Sequence, residues 1–211
     1  MKHAVLLAVA TASALTLAAC QKKPEAPAPV PEAAAVPEAA PAAVPEPAAA
    51  AAAPAAGPID VSAAVTAPNS TEGLITGVTL TDMYQIQAGK IAQAKGQSQG
   101  VKDFGKSMVT DHTAMTNQMK HLFAATKLPI PTELGPRGKG MIDALNAASP
   151  ADFDKLYLDQ QKAAQEAELA LLKGYADAGE STDIKPAAAK AAAKTQAHLD
   201  KVHELQAAPP Q

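Results

Sequence analysis

The 211-residue sequence predicts an all-α fold: an antiparallel four-helix bundle with a short extra helix, set behind a secretory leader and a Pro/Ala-rich segment. Three observations predict it. Beyond about Asn69, Gly and Pro become sparse and apolar residues recur at three–four spacing over long runs. No stretch alternates convincingly at period two, so strands are not expected. Four long helical runs are separated by turn signals, and antiparallel packing is the simplest way to close them.

The N-terminus reads as a leader over residues 1–19. Lys2 and His3 give a positive start, and Ala4 to Leu17 are uncharged and apolar. That run is too short to span a bilayer comfortably, which takes roughly twenty residues. Leu17-Ala18-Ala19-Cys20 closes it and contains the only cysteine of the chain. It resembles the lipobox of bacterial lipoproteins, in which the cysteine becomes the first residue and carries acyl chains of the palmitate type on sulfur and amine. By that resemblance Cys20 is the lipidation site and leaves no free thiol. Gln21 follows where enteric inner-membrane lipoproteins carry Asp. The expectation is a bacterial envelope protein, lipid-anchored in the outer membrane, with its domain in the periplasm.

Residues 20–68 are expected to form a disordered spacer. From Gln21 to Pro68 the chain is almost wholly Ala, Pro, Glu and Val and holds eleven of the 18 prolines. Repeated proline blocks helix, and alanine offers little apolar area to bury. Fully extended, the spacer would reach on the order of 150 Å, at ~3.1 Å per residue.

The helical domain is expected over residues 69–207, with a disordered tail at 208–211. Its first helix admits two starts. Leu74, Val78, Ala88 and Ala92 form one stripe if it begins near Ser70; Leu80, Met83, Tyr84, Ile91 and Ala94 form another if it begins near Thr79. The second helix runs from about Gln99 to Thr126, with Val101, Phe104, Met108, Met115, Met119, Leu122 and Thr126 on one face. A short helix is expected over Arg137 to Asn146. Ser149-Pro150-Ala151-Asp152 supplies a cap, a first-turn proline and an acid facing free amides, and starts the third long helix. That helix runs to about Ala176, burying Phe153, Tyr157, Ala164, Leu171, Leu172 and Tyr175, and Gly179 closes it. The last spans roughly Lys185 to Gln206 with Ala188, Ala191, Thr195, Leu199 and Val202 inward.

Net charge is −3 and aromatic residues make up 3% of the chain. No strongly basic face is implied, so nucleic acid is not an expected partner. There is no Gly-rich phosphate loop and no nucleophile-plus-base pattern, so an enzyme is not the expectation.

Val109-Thr110-Asp111-His112-Thr113, Asp152-Phe153-Asp154-Lys155-Leu156-Tyr157-Leu158 and His198-Leu199 resemble motifs of the domain-of-unknown-function 4142 family, over about Leu74 to Leu205. The resemblance implies a ferritin-like helical fold in a bacterial envelope protein and implies no activity. It also implies a glutamate on the first long helix and histidines on the second, third and fourth. His112 and His198 match; Gln85 and Gln165 replace the glutamate and the third-helix histidine. Ala192-Ala193 stand where the family has Leu-Pro, so the last helix need not kink.

His112 lies within the Met108–Met115–Met119 stripe and should face the core. It reads either as a metal ligand or proton-exchanging group, or as a core histidine hydrogen-bonded to a neighbouring helix. His198 falls at the edge of its inward face, and Glu168 near the apolar face of its own helix. Together they could hold one transition metal such as iron, zinc or copper. Ferritin-like di-iron sites use Glu-x-x-His pairs, whereas Val109 and Thr195 occupy the positions three before these histidines. The three methionines read as core filler rather than a Cu(I) site. His121 lies off the stripe, and His203 at a boundary. Two functions follow: a membrane-anchored binding or structural module contacting envelope proteins or cell wall, for which no cofactor is expected, or a metal-binding or redox protein using the core histidines. The sequence says nothing of oligomeric state.

Overall fold

A computed structural model describes residues 69–208. The leader, the lipidation site Cys20, the spacer and the last three residues of the tail lie outside the described residues. Five helices follow in order: α1 (Thr71–Lys95), α2 (Gln99–Thr126), α3 (Pro136–Ala147), α4 (Pro150–Ala178) and α5 (Lys185–Ala207). No strand occurs among the described residues. No helix among them is long and apolar enough to cross a membrane.

Local chemistry sets the helix ends. Ser70, Ser98 and Ser149 cap α1, α2 and α4, each hydroxyl accepting from the backbone N–H three residues on. Pro150 and Asp152 occupy the first turn of α4, as the sequence led one to expect, and Gly179 follows its last turn. The α2 helix covers the expected range. Lys127 closes it in the left-handed region (φ 59°), where glycine is the usual occupant.

The first helix resolves the two competing starts in favour of the earlier one. Leu74, Val78 and Ala88 are buried, and so are Leu80 and Tyr84. Met83 and Ile91 are half-buried and Ala94 is exposed, so the second stripe is inward only in part; α1 packs against α2, α3 and α4. A helix covered on several sides carries no single amphipathic period.

The connectivity differs from a chain of short turns. Gly89 meets Gly105, and Asp82 meets His112, so α1 and α2 run antiparallel. Thr71 bonds Tyr175 and Tyr84 bonds Gln160, so α1 and α4 are antiparallel as well. Lys173 meets Gln196 and Asp159 meets Gln206, while Asp111 meets His198 and Gly100 meets Leu205, which sets α5 antiparallel to both α4 and α2. Hence α2 and α4 point the same way, and residues 127–149, with α3, must cross the length of the bundle between them. A single long crossover is the connectivity of ferritin-like bundles.

Two side chains lock the end where the crossover arrives. The Asp154 carboxylate accepts from the backbone N–H groups of Gln97 and Ser98, both at 2.8 Å, and so ties the α1–α2 turn to α4. Lys95 donates to the carbonyls of Leu145, Asn146 and Ala148 at the C-terminus of α3.

The core falls into two apolar clusters. One gathers Tyr84, Phe104, Met108, Leu145, Phe153 and Tyr157 at the α3 end; the other gathers Leu74, Ile75, Phe123, Leu172, Tyr175 and Ile184 at the opposite end. Between them all four long helices contribute buried polar residues: Asp82 and Gln85 from α1, His112 from α2, Gln165 and Glu168 from α4, and Thr195 and His198 from α5.

Candidate metal centre

Heptad-like spacing places His112 on the buried face of α2, one turn from both Met108 and Met115, and it has no exposed surface. Its Nδ1 lies 2.8 Å from Oδ1 of Asp82. The second Asp82 oxygen accepts from the Thr116 hydroxyl at 2.7 Å. A carboxylate only accepts, so the His112 proton sits on Nδ1 and Nε2 faces the core. That Nε2 has no hydrogen-bond partner among the described residues.

His198 repeats the arrangement with the ring reversed. Its Nε2 lies 2.9 Å from Oδ2 of Asp111, and its buried Nδ1 has no partner among the described residues. Asp111 uses its other oxygen to accept from Lys194 at 3.3 Å. The two histidine rings stand 5.4 Å apart, centroid to centroid, at 38°.

Glu168 reaches the same region from α4. It is buried, and neither of its oxygens has a hydrogen-bond partner among the described residues. One ligand atom each of Asp82, His112 and Glu168 lies within 4.8 Å of the other two. The nearness of Asp82 to His112 is their hydrogen bond, and both Asp82 oxygens are engaged. The free donors are therefore Nε2 of His112, Nδ1 of His198 and the Glu168 carboxylate.

The electrostatics follow from burial and these pairings. Burial pushes the Glu168 carboxyl up to about 7; His112 pulls against that rise, Asp82 adds to it, and the nearby Thr195 hydroxyl also works to lower it. Burial works to lower the His112 pKa, but Glu168 and then Asp82 outweigh it and leave it raised. Burial drives His198 down to about 4 against the pull of Asp111, so this ring is neutral at pH 7. For Asp111, burial acts upward, but His198 and Lys194 hold the carboxyl below its ordinary range.

The sequence-derived residues thus divide. His112 and Glu168 come together with Asp82, and His198 faces the His112 ring from α5. Gln85 and Gln165 are buried as well: Gln165 Nε2 lies 3.3 Å from the Met108 sulfur, while both polar atoms of Gln85 are unpartnered among the described residues. His121 and His203 are exposed. Sequence reasoning gave no role to Asp82 and Asp111, the two carboxylates that hold the histidines. Asp82 did leave a signal, a charge between Leu80 and the buried Tyr84.

A di-iron carboxylate centre does not fit these residues. It takes a glutamate from each of two helices and a Glu-x-x-His pair from each of the other two. Among the described residues the only buried carboxylates are Asp82 and Glu168, and Val109 and Thr195 precede the histidines by three.

The family described as domain of unknown function 4142 matches residues 56–205. No curated protein and no solved structure matches the chain.

Proposed function

The chain belongs to the domain of unknown function 4142 family, and on that premise we propose that it is an envelope lipoprotein whose bundle core holds one divalent transition metal. The ligands in this reading are His112 Nε2, His198 Nδ1 and the Glu168 carboxylate. Asp82 and Asp111 orient the two rings by accepting from their other nitrogens, the usual outer support of a metal-bound histidine. Two imidazoles and one carboxylate suit iron(II), zinc or cobalt and leave coordination positions for water.

The observation that carries this reading is the set of unpartnered donors. Eleven buried side-chain N and O atoms have no hydrogen-bond partner among the described residues. A buried polar atom left unpaired costs ~1–3 kcal/mol, which favours a partner for the four on His112, His198 and Glu168. Ordered water can serve the glutamine amides. Glu168 beside His112, with the His198 ring facing His112, is the pairing a cation would satisfy.

Elemental analysis of the whole chain, followed by calorimetric titration with iron(II), zinc and cobalt, tests it. One metal per chain is expected, with binding lost in His112→Gln, His198→Gln and Glu168→Gln and only weakened in Asp82→Asn. No stoichiometric metal, aerobically or anaerobically, sinks the reading.

The anchoring part rests on Leu17-Ala18-Ala19-Cys20 and the Pro/Ala-rich segment that follows. A Cys20→Ser chain is expected to leave the membrane fraction, and mass spectrometry should find acyl chains on Cys20 of the unaltered protein. That same segment favours a second reading, in which the domain is a binding or structural module held away from the membrane to touch envelope proteins or cell wall. Function that survives His112→Gln but fails when the spacer is cut would select it.

A further inference from the structure

The metal reading raises the question of how a cation reaches a layer enclosed by four helices, and the following rests on that reading. The four sides of the bundle are unequal. The α1–α2 and α4–α5 seams are tightly packed; the α2–α5 seam is the sparsest of the four. Ala191 and Ala197 of α5 and Ala114 of α2 line that side. A groove of about 540 Å³ follows the seam, with Asp111, Met115, Met119 and Lys194 in its walls.

Polar groups step inward from this groove. Side-chain exposure falls from 53% at Lys194 to 26% at Asp111, 7% at His198 and 0% at His112. Each contacts the next: Lys194 bonds Asp111, Asp111 bonds His198, and the His198 ring faces His112. His198 is the most exposed of the three proposed ligands. A second groove, about 460 Å³, touches Asp82 and Thr116 from the crossover side, with Lys120 at its rim. There the carboxylate is only 4% exposed, and both its oxygens are already bonded within the protein.

We propose that the α2–α5 seam is the port through which the divalent cation enters and leaves, with Asp111 as its anionic mouth and Lys194 as a cationic lid. A lysine over the mouth repels an approaching cation and occupies the oxygen that would receive it first. Swinging Lys194 aside frees that oxygen, and turning the His198 ring opens the step to His112. Lys194 touches no proposed ligand, so its effect falls on rates more than on affinity.

Stopped-flow mixing of the whole chain with Co²⁺, followed by the visible absorption of the bound ion, tests this. Lys194→Gln is expected to raise uptake and release rate constants, about three- to tenfold at low salt, with Kd changing less than either. Lys120→Gln should match the unaltered protein, and Asp111→Asn should slow uptake. Both lysines are exposed, so neither change threatens the fold. Acceleration in Lys120→Gln and not in Lys194→Gln moves the port to the other groove and overturns the proposal, as does the absence of any effect in Lys194→Gln. Failure of the unaltered chain to take up Co²⁺ is a different result, one that removes the metal reading itself and the port with it.

Discussion

His112 and His198 face each other across the α2–α5 seam with ring centroids 5.4 Å apart, and each is pinned from its far side by a carboxylate, Asp82 for one and Asp111 for the other. The two rings are mirror cases electrostatically. Buried charge raises the pKa of His112, while burial lowers that of His198 to about 4.

Metal affinity should therefore depend on pH through His112 and Glu168, not through His198. A ligand must be deprotonated to bind, and Glu168 titrates at about 7 with His112 raised beside it. Affinity is expected to fall by roughly ten- to a hundredfold per unit as pH drops below about 7, according to whether one or both protons are displaced. Calorimetry in buffers of different ionisation heat counts those protons directly.

The metal-free fold should carry its own pH dependence through His198. Its folded pKa of about 4 lies below the ordinary 6.5, so the unfolded chain binds the extra proton first. Stability from this group is present above about 6.5 and is lost as pH falls towards 4. Urea unfolding of the unaltered protein and of His198→Gln should show their stability gap shrinking by up to roughly 3 kcal/mol over that window. A gap independent of pH would rule out a buried neutral ring.

Gly89 permits the close approach of α1 and α2. A Cβ there would stand 2.6 Å from the backbone oxygen of Gly105, which cannot withdraw as a side chain can. Gly89→Ala is expected to cost roughly 1–3 kcal/mol by overpacking, despite the ~1 kcal/mol that alanine gains over glycine within a helix. The midpoint of chemical denaturation reads it out.

Lys127 offers a gain. It holds a left-handed conformation at the end of α2 that costs a residue with a Cβ about 1 kcal/mol. Lys127→Gly should raise stability by roughly 0.5–1 kcal/mol, seen as a higher melting temperature without any change in metal content.

Much of this is legible in the sequence. Ser149, Pro150 and Asp152 marked the start of α4 because capping is local chemistry, and the Met108–Met115–Met119 stripe put His112 inside because a helix repeats every 3.6 residues. Partnerships were less legible. Asp82 and His112 are thirty residues apart on different helices, and only the register of the α1–α2 hairpin aligns them. Asp111 stood in plain view next to His112, yet its partner His198 lies on the far side of a crossover. The crossover itself was hidden because Lys127-Leu128-Pro129-Ile130-Pro131 announces a helix end without giving the direction of the next helix. For α1 the obstacle was different: burial on several sides erased the periodicity from which a start is read.

The crossover divides the polar layer between two hairpins. Asp82, Asp111 and His112 lie on α1–α2, and Glu168 and His198 on α4–α5. The peptide joining the halves passes through Ile130, the one large apolar side chain left exposed among the described residues, at 39%. Cutting the backbone there would sever neither hairpin. The domain is thus a candidate for reconstitution from two separately made polypeptides, in which a bound ion would be the cross-link between halves that share no covalent bond.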